Sequence, residues 1–151
     1  MKVSGKIIYD DKQQLMSVIS EARKNGNKIV LCGGHFNVIH PGHLRFIEFA
    51  KKQGDYLVIA IQGNTRIEQR VNDKFFNQEQ RAMGAASLEY VDKVFVFNNT
   101  DLLDVLQTVQ PNIYVKGEEF SRKMDEIKDE IDIIEKHGGK VVFSSGDSSN
   151  A

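Results

Sequence analysis

The sequence predicts an α/β fold, a single doubly wound domain with a mostly parallel five-stranded sheet flanked by helices. Three observations carry this prediction. Short apolar runs and amphipathic helical patterns alternate about five times along the chain, the signature of a layered α/β domain. Several of those runs, such as "YLVIAI", are almost wholly apolar, as strands are when helices cover both faces of the sheet. The first run, "KIVLCGG", ends in glycines just before a helix start, where open α/β sheets bind their ligands.

The elements follow in order. Residues 11–25 place Leu15, Val18, Ile19 and Ala22 at helical spacing, and Gly26 stops the helix. "KIVLCGG" is the first core strand. Pro41 suits the first turn of the next helix, "PGHLRFIEFAKKQ", whose apolar face takes Leu44, Ile47 and Phe49, and Gly54 ends it. "DYLVIAIQGN" is the second strand. Residues 63–76 lack a clean period and read as a loop. Asn77, with Gln80 three residues on, opens a helix with a capping box. "DKVFVFNN" is the third strand, "TDLLDVLQTVQ" a helix stopped before Pro111, and "NIYVKG" the fourth strand. "SRKMDEIKDEIDIIEKHGG" reads as one long charged helix with Met124, Ile127, Ile131 and Ile134 on a stripe. "KVVFSS" closes the sheet as the fifth strand. On this reading residues 1–27 form an N-terminal helical extension and residues 28–151 the main domain.

Composition narrows the function. The 151 residues carry 20 Lys and Arg against 21 Asp and Glu, a net charge of −1. No long-range field then favours nucleic acid or an anionic membrane, and neither is an expected partner. One cysteine, Cys32, excludes an internal disulfide and a cysteine metal cage, and its apolar run marks it as a small buried hydrophobe. The opening residues lack the apolar stretch of a secretion signal, so a reducing cytoplasm is the expected location.

The chemistry concentrates in "GGHFNVIHPGH". Three of the four histidines, His35, His40 and His43, fall here, between a strand and a helix. Gly33 and Gly34 let the backbone turn and approach a ligand. The helix start at Pro41 offers unpaired N–H groups and the positive end of the dipole, an anion site. His40 and His43 flank that terminus, and Gly42 keeps the space between them open. The pattern GxxxxGK[ST] of a P-loop is absent, as is GxGxxG.

These residues, with their spacing, resemble the nucleotidylyltransferase superfamily. "GGHFNVIHPGHLRFIEFAKKQGD" is similar to the pattern GxFDxLHxGHxxxLxxAxxxGD of cytidylyltransferase-like proteins. "NQEQRAMGAASLEYVDKVFVF" is similar to their ExRxxxLxxLxxVDxV segment, and "YVKGEEF" to their VKGxDY. The helix before "GNKIVLCGGHF" resembles the start of the adenylyltransferase domain of heptose-phosphate enzymes, and the glycerol-3-phosphate cytidylyltransferases share the core. The resemblance spans roughly residues 10–143 and implies a Rossmann-like domain, which makes residues 28–151 the nucleotidylyltransferase domain.

The resemblance implies transfer of a nucleoside monophosphate from CTP or ATP to a phosphorylated sugar or polyol, with release of pyrophosphate. It implies catalytic roles for His40, His43 and Lys74, and nucleotide contacts from Gly33, Gly34, Phe36, Asn37, Gly42, Arg81, Lys116 and Gly117. Mg2+ is expected to arrive with the triphosphate, with no all-protein metal site. A homodimer through "EYVDKV" is implied as well. Bland readings stand beside these: a helix cap for the histidine pair, a solvated Lys74 or Arg70, and a surface salt bridge for Arg81. Glu118 and Glu119 suit either substrate hydroxyls or the first turn of a helix, and His137 suits a helix end. Asn37 stands where the pattern has Asp, and "RVNDKFF" lacks the usual Arg-Pro. Ser148 and Ser149 are expected to begin the Ser/Thr-rich turn that precedes a final helix in the family. A catalytically weak nucleotide-binding domain is the alternative function.

Overall fold

The computed structural model describes residues 2–34, 36, 41–64 and 76–144. Its elements run β1 (Ile7–Tyr9), α1 (Lys12–Lys24), β2 (Ile29–Gly34), α2 (Pro41–Lys52), β3 (Tyr56–Gln62), α3 (Gln78–Ala86), β4 (Lys93–Phe97), α4 (Leu102–Val109), β5 (Ile113–Lys116), α5 (Lys128–Lys136) and β6 (Lys140–Phe143). The strands form one sheet in the order β1-β4-β3-β2-β5-β6, and every pair is parallel.

The alternation of side chains along each strand divides the core into two halves. Val30, Cys32, Leu57, Ile59, Val94 and Val96 point to one face, where Ile47 of α2 and Ala82 and Ala85 of α3 cover them. Leu31, Val58, Ala60, Phe95 and Tyr114 point to the other, under Leu15 and Ile19 of α1, Leu106 of α4 and Ile134 of α5. The chain moves one way across the sheet through α2 and α3, and the other way through α1, α4 and α5. Right-handed crossovers put those two sets on opposite faces.

Most expected boundaries hold. Asp11 caps α1 through Gln14 N, and Gly26 leaves it at φ +83°. Asn77 and Gln80 form the reciprocal capping box. Gln110 ends α4 in the left-handed region just before Pro111.

The structure departs from several expectations. The sheet has six strands, not five, because Ile7–Tyr9 pairs with β4 at an edge. Only Ile8 of that strand is buried, so three residues give no readable alternation. The expected long helix over residues 121–138 is instead two 3-10 turns, Glu118–Arg122 and Met124–Ile127, followed by α5. Lys123, at φ −131° and ψ 39°, interrupts it, and Met124 is exposed. In α2 the buried residues are Ile47 and Ala50, whereas Leu44 is 43% exposed. The expected boundary at residues 27 and 28 falls in the turn from α1 to β2, with β1 and α1 packed into the same sheet and core.

A carboxylate ties the added strand to the end of the sheet. Asp10, at φ +55°, accepts from Asn98 N at 2.6 Å, Asn99 N at 3.0 Å and Asn98 Nδ2 at 3.3 Å. Burial pushes its pKa up, but the hydrogen bonds from Asn98 and Asn99 outweigh that and hold it below 3.8. A carboxylate with a lowered folded pKa adds stability that is full above its unfolded value near 4 and is lost as pH falls through the folded value. Asp10→Asn therefore flattens the acid limb of the stability curve and has its largest cost near neutral pH. Urea denaturation at a series of pH values checks this, and parallel curves for the two proteins contradict it.

Candidate active site

Chain direction reverses at β2. From its carboxyl end the chain turns to α2 and β3, whereas β5 lies against its other side and sends its chain to the opposite face. Loops that part in this way leave a crevice at the switch point. A cavity of about 890 Å3 lies there. The end of β2, the first turns of α2, the end of β5 with the 3-10 turn after it, and Ser144 line it.

The floor is glycine for steric reasons. A Cβ on Gly33 would stand 3.3 Å from Ala60 O and 3.4 Å from Leu102 Cδ1. A Cβ on Gly34 would stand 3.2 Å from Phe36 Cε2, because that ring folds back over the strand end. Phe36 does so with φ +52°, a left-handed conformation that costs a non-glycine residue about 1–2 kcal/mol. Burial of its ring in the core with Cys32 and Ile47 offsets that cost. The same ring lies 6.0 Å from the His43 ring, tilted by 50°, so Phe36 fixes the first turn of α2 from beneath. That turn, Pro41-Gly42-His43, has no acidic residue, whereas α3, α4 and α5 each carry one or more there. The first turn of α2 therefore brings no carboxylate of its own to the positive end of the helix dipole.

Lys116 and Gly117 stand across the cavity from α2. Lys116 Nζ lies 3.2 Å from Glu130 Oε1 and 4.4 Å from the centre of the Phe120 ring. Arg45 and Arg122 add cationic side chains to the lining, and Glu118 and Glu119 add carboxylates. The site thus joins fixed N–H donors and cations to an aromatic wall, which suits a ligand with phosphates and a ring.

The structure brings Gly33, Gly34, Phe36, Gly42, His43, Lys116 and Gly117 together around this cavity. Arg81 stands apart from its lining. It is 1% exposed and donates to Phe76 O at 2.9 Å, Gln62 O at 2.6 Å and Asn64 Oδ1 at 3.3 Å. Those contacts gather the two ends that flank residues 65–75. His35, Asn37, His40, Arg70, Lys74, Ser148 and Ser149 lie outside the described residues. Sequence reasoning passed over Arg45, Phe120, Arg122 and Ser144. Arg45 was readable, since it follows Gly42 by three residues and Pro41 by four on one helix face. Ser144 was not, because the pairing of β6 with β5 brings its N–H to 2.8 Å from Lys116 O.

Residues 31–144 match the family described as cytidylyltransferase-like. The bifunctional protein HldE of Alcanivorax borkumensis is 33% identical over 140 residues, which are 91% of this chain and 29% of that protein. HldE of Gluconobacter oxydans is 31% identical over 87% of this chain and 27% of its own length. The chain thus spans less than a third of these relatives. The crystal structure of the lipopolysaccharide core biosynthesis protein from Thermoplasma volcanium is similar at a TM-score of 0.64 and 28% identity, covering 80% of this chain and 98% of that one. Pantoate-beta-alanine ligase from Francisella tularensis shares the fold at a TM-score of 0.65 and 19% identity, over 91% of this chain and 66% of that one. Among the described residues, no helix is long and apolar enough to cross a membrane.

Cys32 lies fully buried beneath the site, and burial raises its thiol to about 12, with Lys116 opposing in part. The native protein at pH 8 is therefore expected to resist iodoacetamide and to react only once unfolded. Mass spectrometry of timed samples with and without urea checks this, and rapid native alkylation contradicts it.

Proposed function

Because the chain belongs to the cytidylyltransferase-like family, we propose that it is a nucleotidyltransferase that binds a nucleoside triphosphate in the switch-point cavity and transfers its nucleoside monophosphate to a phosphorylated sugar or polyol. The observation that carries this reading is the cavity itself. The carboxylate-free first turn of α2, with His43, faces Lys116 and Gly117 across a glycine floor. ATP is the donor favoured by the likeness to the heptose-phosphate adenylyltransferase domain, and CTP is the donor to test beside it.

The reaction needs position and charge more than covalent help. An oxygen of the acceptor phosphate attacks the α-phosphorus in line, and the bond to the pyrophosphate oxygen breaks. The attacking phosphate is already ionised at neutral pH, so no general base is required. Charge grows on the non-bridging oxygens, where the N–H groups of Gly42 and His43, the His43 ring and Lys116 supply donors. Gly33 and Gly34 end β2 at the floor of the cavity. His40 and Lys74 belong to this reading by the sequence pattern, as further phosphate-side groups. Magnesium enters as part of the triphosphate substrate.

The test is release of pyrophosphate from ATP and from CTP with a panel of sugar and polyol phosphates. His43→Ala is expected to lower kcat by about 100- to 1000-fold, the usual loss for one preorganised donor. Unchanged turnover in that variant contradicts the mechanism. A catalytically weak nucleotide-binding domain would instead show triphosphate binding by calorimetry and no pyrophosphate release with any acceptor.

A further inference from the structure

Strand alternation sends Ile113 and Val115 of β5 into the α2 and α3 side of the core and Tyr114 into the α4 and α5 side. Lys116 follows Tyr114 by two and shares its face. On that side both meet Glu130 of α5. The fully buried Tyr114 donates its hydroxyl to Glu130 Oε1, the same oxygen that lies 3.2 Å from Lys116 Nζ. The side chains of Lys116 and Glu130 are only 14% and 16% exposed. The Lys116 ammonium also lies 4.4 Å from the Phe120 ring centre and 5.5 Å from that of Tyr114. Lys116 and Phe120 line the cavity, whereas Glu130 and Tyr114 stand behind them.

Stability alone does not account for this arrangement. A largely buried ion pair roughly breaks even against the desolvation of its two charges. A carboxylate close to an anion site also opposes the anion by Coulomb repulsion. What the arrangement does provide is order. A free lysine side chain has many rotamers, and here a carboxylate and two ring faces hold its ammonium at one place. An ammonium has three N–H donors, and one pair leaves capacity for a phosphate oxygen. The Tyr114 hydroxyl stays protonated to support this, because burial first and the Glu130 charge second push its pKa far up.

We propose that Glu130, backed by Tyr114, is a positioning residue that holds the Lys116 ammonium against Phe120 at the rim of the cavity, ready for a phosphate oxygen of the substrate. The inference rests on the nucleotidyl-transfer reading of the cavity. Glu130 acts through Lys116, so its removal changes the rate through the placement of that charge. It does not weaken ground-state binding, since loss of the carboxylate also removes a repulsion.

The experiment is a double-mutant cycle with pyrophosphate release as readout and thermal melts as control. Glu130→Gln keeps the shape and is expected to lower kcat about tenfold without raising KM for the triphosphate. Lys116→Met is expected to lower kcat about 100-fold, and the double variant to be no worse than Lys116→Met alone. Tyr114→Phe moves kcat in the same direction by less, and serves if Glu130→Gln fails to fold. Wild-type kcat in a folded Glu130→Gln protein, additive losses in the double variant, or a change confined to melting temperature overturns the proposal while leaving the nucleotidyl-transfer reading intact. Absence of both turnover and triphosphate binding in the wild-type protein overturns the reading itself, and the proposal with it.

Discussion

The pairing of β2 with β3 on one side and β5 on the other, all parallel, is the constraint on which the rest depends. Register along β2 places Gly33 opposite Ala60 and Leu31 opposite Tyr114, so β2 reaches past the paired part of β5 and ends in glycines at the crevice. A one-residue slip would turn Val30 and Cys32 toward α1 and α4 and Leu31 toward α2, exchanging the two halves of the core. Burial on both faces therefore locks the register, and the register sets where Gly34 and Lys116 stand. The functional geometry follows from the requirements of the core.

Around that fixed centre, polar groups hold the loops where regular pairing stops. Arg81 joins Phe76, Gln62 and Asn64, and Gln78 exchanges hydrogen bonds with Asn64 in both directions. Asn98 donates to Gln78, and Asp10 accepts from Asn98 and Asn99. This chain of contacts joins the carboxyl ends of β1, β3 and β4 to the start of α3. A buried guanidinium is costly to leave unmatched, so its carbonyl partners make the loop ends as definite as the strands they follow. At the opposite end of the molecule, Asp92 accepts from Leu57 N and Lys51 Nζ, and Asn112 accepts from Ile29 N, which squares the strand starts.

Legibility in the sequence followed physical range. The junction of β2 and α2 was readable because Gly33, Gly34, Pro41 and Gly42 act on their own backbone. The Asn77 and Gln80 cap was readable for the same reason, since both partners lie within one turn. Strand β1 was not, because Ile8 alone is buried and its partner Phe95 lies far along the chain. The start of α5 was misread because the stripe of Met124, Ile127, Ile131 and Ile134 fits a helix, whereas the backbone at Lys123 leaves the helical region and divides the segment into two 3-10 turns. Arg81 was visible as a residue but not as a buried one, since Gln62 and Asn64 that receive it lie in another element. The link of Lys116 to Glu130 and Tyr114 depends wholly on how α5 packs back on β5, and no local pattern encodes it.

The central claim is that phosphates bind where β2 meets α2, opposite the end of β5. A crystal structure of the protein with a non-hydrolysable ATP or CTP analogue tests it most directly. The predicted result is phosphate oxygens within hydrogen-bonding distance of the first turn of α2 and of Lys116, with the glycines of β2 beneath them. A nucleotide bound elsewhere on the molecule, with this cavity holding only solvent, would contradict the account.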